Sequence, residues 1–165
     1  MSIINVLSFN STSEAKLIDA RGPRFGALLT TIILTAFLAT DFLPLLFWQL
    51  LVFTLGAVTA NSPYNFIYRK LIQPRLSGDL PTEDVRPPQF AQLVGFIFAI
   101  SATIAFLAGS HSLGVIIIGF ALAAAFLNAA FNFCLGCEVY LLIARAKSAV
   151  TSRRNHEDSY NLPNL

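Results

Sequence analysis

All eleven Lys and Arg residues of this chain fall in three stretches, and the long apolar runs between them carry none. Three precede the first run (Lys16, Arg21, Arg24), four lie in the middle of the chain (Arg69, Lys70, Arg75, Arg86), and four follow the last run (Arg145, Lys147, Arg153, Arg154). Short loops that flank membrane helices keep their positive charge on the cytoplasmic side. This distribution constrains the fold before any helix is drawn. Both termini and the middle loop belong on one face, and the turns around Asp41 and around Ser110-His111-Ser112 belong on the other.

Composition agrees that the solvent is lipid. The chain is 55% hydrophobic and 12% charged, with a mean hydropathy of +0.66, where an ordinary soluble domain is about 25% charged. So few charges cannot cover a soluble core of this apolarity. A net charge of +2, with no basic run interleaved with aromatics, excludes a nucleic-acid partner. The partner implied throughout is the lipid bilayer of the plasma membrane.

Four apolar segments are read as spans, at about residues 25–40, 44–60, 90–109 and 113–135, the last with an apolar extension to Ile143. A spanning helix needs roughly 20 residues, so the third and fourth qualify easily. The first two are short and are separated by Asp41 and Pro44, which reads as a helical hairpin with a tight turn. The expected fold is an all-α membrane protein of four transmembrane helices in two hairpins, with both termini cytoplasmic. Residues 1–24 form a cytoplasmic lead-in with no evident cleavable signal peptide. Residues 25–143 form the transmembrane domain around a cytoplasmic loop at 61–88. Residues 144–165 form a polar tail expected to be largely disordered.

The pattern R-x-P-x-F-x-x-L occurs twice, from Arg21 to Leu28 and from Arg86 to Leu93. In both copies Arg and Pro precede an apolar run, and Pro is well tolerated in a first helical turn. This is either an ordinary helix entry used twice or the trace of a duplicated two-helix unit, which would make two parallel hairpins.

The chain has two cysteines, in Cys134-Leu135-Gly136-Cys137-Glu138, where the fourth span meets charged sequence. The charge pattern places them at the cytoplasmic boundary, a reducing compartment where a lasting disulfide is not expected. The spacing suits a redox dithiol, a sulfur-relay site, half a metal site, or two small residues packing a helix end. Read as the C-terminus of the fourth helix, the pair lacks the helix N-terminus that activates soluble dithiols. Glu138 further opposes thiolate formation. A metal site is not expected, because structural zinc needs four ligands; no cofactor is expected either.

Asn128 and Asn132 stand one helical turn apart in an apolar run, where buried amides ordinarily hydrogen-bond between helices. In a regular helix their face lies away from the cysteines. Asp19, Arg21 and Arg24 precede the first span, and with the loop cations they meet anionic headgroups or form a rim that attracts small anions.

The segments Ile18-Asp19-Ala20-Arg21-Gly22-Pro23-Arg24-Phe25, Ser62-Pro63-Tyr64, Pro87-Pro88-Gln89-Phe90-Ala91-Gln92 and Ala125–Phe131, continued by Cys134–Tyr140, together resemble the domain-of-unknown-function 4395 family over about residues 15–146. Its members are small, mostly actinobacterial, integral membrane proteins without an established activity. A looser similarity links the chain to the membrane domain attached to some rhodaneses. That similarity implies that Cys134 and Cys137 accept or exchange sulfur, with Asp19 and Arg21 nearby, and that the partner is a rhodanese- or thioredoxin-like cytosolic protein. The chain departs from it in having two cysteines where one is typical, in the one-residue spacing of Asp19 and Arg21, and in lacking a rhodanese domain.

The resulting expectation is a sulfur- or thiol-handling membrane component, non-enzymatic or a thiol relay, and a homo-oligomer. Cys134 and Cys137 carry the chemistry; Asp19, Arg21, Arg24, Asn128, Asn132, Glu138 and Tyr140 are the binding candidates. The alternatives are an accessory subunit without chemistry and a carrier of a small sulfur-containing anion.

Overall fold

A computed structural model describes residues 17–59, 61–75 and 81–160, with side chains as far as residue 150. The lead-in before residue 17 lies outside the described residues. The elements are β1 (Leu17–Asp19), α1 (Arg21–Thr40), α2 (Leu43–Thr59), α3 (Pro63–Ile67) continued by a π turn (Tyr68–Ile72) and a 3₁₀ turn (Gln73–Arg75), β2 (Thr82–Asp84), α4 (Arg86–Leu107), α5 (His111–Phe131) and α6 (Leu135–Tyr160). Among the described residues the regular structure is helical apart from one small antiparallel pair, in which Leu17 faces Asp84, Ile18 faces Glu83 and Asp19 faces Thr82.

Three helices, α1, α4 and α5, are long and apolar enough to cross a membrane. The 17-residue α2 reaches that standard only together with its continuation from Pro63 to Arg75, from which it is bent by 81°. A lipid-embedded helix must satisfy its own backbone, and two helix ends here do so in the same way. Asp41 takes the left-handed conformation (φ 50°) and donates its N–H to the Phe37 carbonyl, closing α1. Asn132 does the same for α5 (φ 56°), donating to the Asn128 carbonyl at 3.1 Å. Asp and Asn are the side-chain-bearing residues that visit this conformation at least cost.

The two helix entries are built alike. At β1–α1 the Arg21 N–H donates to Asp19 Oδ1 at 3.0 Å. At β2–α4 the Arg86 N–H donates to Asp84 Oδ1 at 3.0 Å. At the opposite end, His111 Nε2 meets Asp41 Oδ1 at 3.2 Å and ties the two short turns together. Beneath that contact, Leu34, Phe37, Leu46, Ala102 and Ile118 form the buried core, with Phe37 and Phe106 packed edge to face at 5.3 Å. Halfway along, Gln49 donates to Thr30 Oγ1 and accepts from the Tyr64 hydroxyl, which in turn accepts from Trp48 Nε1. Leu28, Ile32, Phe47, Leu51, Ile97 and Ile104 remain exposed on the outer faces, as lipid contact requires.

Three expectations are corrected. The fourth span does not continue to residue 135 or 143, because Asn132 stops the helix and α6 starts afresh at Leu135. The tail expected to be disordered is helical as far as Tyr160. The segment read as a loop at 61–88 carries, among its described residues, the bent α3 segment, the strand β2 that pairs with β1, and the start of α4.

Helices in lipid gain no hydrophobic drive from touching each other and depend on close packing of small residues. One such contact joins α4 and α6. A Cβ on Gly136 would lie 2.7 Å from both the Cα and the Cβ of Ala91, so the helices cannot approach this closely with any other residue there. Gly136→Ala should therefore lower the thermal unfolding midpoint in detergent, at a cost of about 1–3 kcal/mol. Gly119→Ala, where an added Cβ meets nothing within 4 Å, should leave the midpoint unchanged or raised.

Candidate functional site

The break between α5 and α6 sets the geometry of the cysteine pair. Once Asn132 has turned the chain, Cys134 becomes the capping residue at the start of α6. Its carbonyl accepts the first helical N–H, from Glu138, at 3.0 Å. Its sulfur accepts the Cys137 N–H at 3.3 Å. The same device opens α3, where Ser62 Oγ accepts the Tyr64 N–H and the Ser62 carbonyl accepts from Phe66. The pair thus lies at a helix N-terminus, not at the C-terminus expected from sequence, because the apolar run conceals two helices. Helix N-termini present unpaired N–H groups and a positive dipole end, both favourable to a thiolate.

Cys134 and Cys137 are joined as a disulfide, with Cα atoms 5.2 Å apart. Compartment argued from sequence only against a lasting disulfide and left a transient one open; the first turn of α6 holds the two residues at ordinary disulfide spacing.

A cavity of about 340 Å³ adjoins the pair, walled by all four long helices and by the start of α6. Cys134, Leu135 and Gly136 close one end; Asn128, Ala124 and Phe120 of α5, Gln92 and Phe98 of α4, Thr30 of α1 and Phe53 of α2 line the rest. None of its lining residues is charged. Asn128 and Cys134 share this cavity although a continuous helix would have separated their faces. The turn at Asn132 brings them together.

The other candidates divide. Asn132 is an exposed helix cap, which corrects its expected role as interhelical glue. Arg24 donates from Nε to the Ala129 carbonyl at 3.1 Å, capping the end of α5 close to the cysteines. Asp19 is committed elsewhere: one oxygen accepts the Arg21 N–H and the other the Tyr68 hydroxyl at 2.8 Å. Neither Asp19 nor Arg21 lines the cavity. The Glu138 side chain is exposed in the first turn of α6, where its charge suits the helix dipole. Tyr140 is 5% exposed, packed at 5.7 Å against Phe90 with the rings tilted by 53°, and hydrogen-bonded to buried Arg86.

Sequence reasoning quoted Gln89 and Gln92 within a motif and gave them no role. Gln89 donates to the Ala57 carbonyl at 2.6 Å. The Oε1 atoms of both glutamines are buried without a hydrogen-bond partner among the described residues. Their i, i+3 spacing puts them on one helix face, and that spacing was the available signal.

Glu83, in the strand pair beside Asp19, has its carboxyl pushed up, first by burial and then by the Asp19 charge. A carboxyl raised on folding adds stability below its unfolded value, and that stability is lost as pH rises through the folded value. Glu83→Gln should therefore raise the unfolding midpoint at neutral pH. Thermal melts compared across pH should show the gain vanishing by about pH 4, where the native carboxyl is itself protonated.

No curated protein and no solved structure matches the chain. Residues 18–145 match the family described as Domain of unknown function (DUF4395), and the chain belongs to that family.

Proposed function

We propose that this protein is a membrane dithiol–disulfide component that exchanges its Cys134–Cys137 bond with a thioredoxin- or rhodanese-like cytosolic partner. The observation that carries the reading is the position of Cys134 as the cap of α6, with the Cys137 N–H on its sulfur. Disulfide exchange proceeds through thiolate attack. When the bond is reduced, Cys134 is the sulfur that the helix end and this N–H stabilise as an anion. The one-sided Lys and Arg distribution supports a cytoplasmic position for the pair. The uncharged cavity favours this reading over carriage of a sulfur anion, since a buried anion needs paired charge.

The two halves of the chain are read as copies of one unit. The matching Asp-x-Arg-x-Pro entries at Asp19–Pro23 and Asp84–Pro88 support this, as do the equivalent caps at Ser62 and Cys134. In each half a tyrosine follows the cap by six residues, Tyr68 meeting Asp19 and Tyr140 meeting Arg86. Ser62 and Asn65 then hold the positions that Cys134 and Cys137 hold in the second half. One copy keeps the frame and the other carries the sulfur chemistry.

After reduction, alkylation by iodoacetamide at pH 7 followed by peptide mass mapping should modify Cys134 at least about tenfold faster than Cys137, in keeping with a helix-terminal thiolate. The untreated reduced protein should re-form the bond in an oxidised/reduced dithiothreitol buffer. In oriented vesicles, both thiols should be reached from the cytoplasmic side. Equal alkylation rates together with failure to re-form the bond would leave the accessory-subunit reading in its place.

A further inference from the structure

The cavity beside Cys134 reaches well into the membrane. Along α4 its walls run from Pro88 to Phe98, ten residues or about 15 Å of helix rise. It therefore extends from the boundary occupied by the cysteines toward the middle of the bilayer. Its volume of about 340 Å³ is that of a small-molecule site. Three rings, Phe53, Phe98 and Phe120, supply flat apolar walls. Two carboxamides, Asn128 and Gln92, face the same space. The Gln92 Oε1 itself is buried against Gly56 of α2 without a hydrogen-bond partner among the described residues. An acyl chain filling the cavity would offer these amides no hydrogen-bond partner.

We propose that this cavity binds the ring of a membrane-soluble quinone, which takes two electrons from the reduced Cys134–Cys137 pair. The inference rests on the dithiol reading and names its electron acceptor. In the step, two S–H bonds break and one S–S bond forms. The two electrons and two protons pass to the quinone, and both carbonyl oxygens become hydroxyls. The amides match both states of the ring, because a carboxamide N–H donates to a quinone carbonyl and a carboxamide oxygen accepts from a quinol hydroxyl. The absence of charge suits an uncharged ligand, and the aromatic walls suit a flat one. Of the two sulfurs, Cys134 is the one on the cavity wall, so it faces the ring and Cys137 completes the disulfide.

The test uses full-length protein, reduced and freed of reductant, in lipid nanodiscs under anaerobic conditions, with decylubiquinone as probe. Quinone absorbance and free thiols are followed together. The expected result is one quinol per two thiols lost, at a rate that saturates with quinone. Ala124→Phe, which fills the cavity, and Asn128→Leu, which removes an amide, should each slow this rate at least tenfold while keeping the wild-type midpoint in dithiothreitol buffer. Oxidation by oxidised dithiothreitol but not by the quinone would overturn the quinone site and leave the dithiol reading standing. Quinone reduction that neither variant slows would also overturn it, and failure with both oxidants would overturn both readings.

Discussion

The geometry around the two cysteines depends on one residue in the left-handed conformation. Asn132 ends α5 by turning its N–H back to the Asn128 carbonyl. Without that turn the apolar sequence from Leu113 to Ile143 would continue as a single helix. Cys134 and Cys137 would then sit partway along it, their backbone N–H groups consumed by the preceding turn. With it, a new helix begins at Leu135, and its first free N–H groups lie where the sulfurs are. A helix start in an apolar setting must find acceptors for its N–H groups. At this start the Cys134 carbonyl and sulfur serve as two of them.

The frame that holds this turn is assembled at the same end of the molecule. The pair β1–β2 brings the two Asp-x-Arg entries face to face through three residues on each side. Each Asp satisfies an otherwise unpaired N–H at a helix start, and each entry is further held by a buried tyrosine from the bent segment or from α6. Gly136 lets α6 lie directly on α4. The Arg24 guanidinium closes the end of α5 from α1. Among the basic residues that set the charge pattern, Arg24 thus also caps a helix, and buried Arg86 is held by Asp84 and Tyr140.

The cavity and the disulfide are chemically complementary. A sulfur pair that changes by two electrons needs an acceptor or donor of two electrons, and the wall beside Cys134 is aromatic, uncharged and furnished with amides. Ser62, which caps α3 as Cys134 caps α6, adjoins a cavity of only about 40 Å³, the scale of a water site.

Much of the architecture was legible in the residues alone. Apolar runs of membrane length, Lys and Arg confined to three stretches, and Asp41 between two short runs determine helices and their breaks, because lipid leaves the backbone no other way to satisfy its hydrogen bonds. The thiol pair was legible as chemistry from its spacing. What the sequence could not decide was which residues face one another. An apolar run carries no mark that distinguishes one helix from two, since Asn132 is an ordinary polar residue until its φ is positive. The distance between Asn128 and Cys134 follows from that one dihedral angle. The role of Gln92 follows from the packing of four helices, and the binding of Asp19 to Tyr68 from contacts 49 residues apart. Hydrophobic pattern and charge act locally along the chain, and they determined the apolar helices and the turn at Asp41. Capping geometry and close packing act between distant segments, and only the tertiary structure turned two cysteines at an apparent helix end into a disulfide at a helix start beside a cavity.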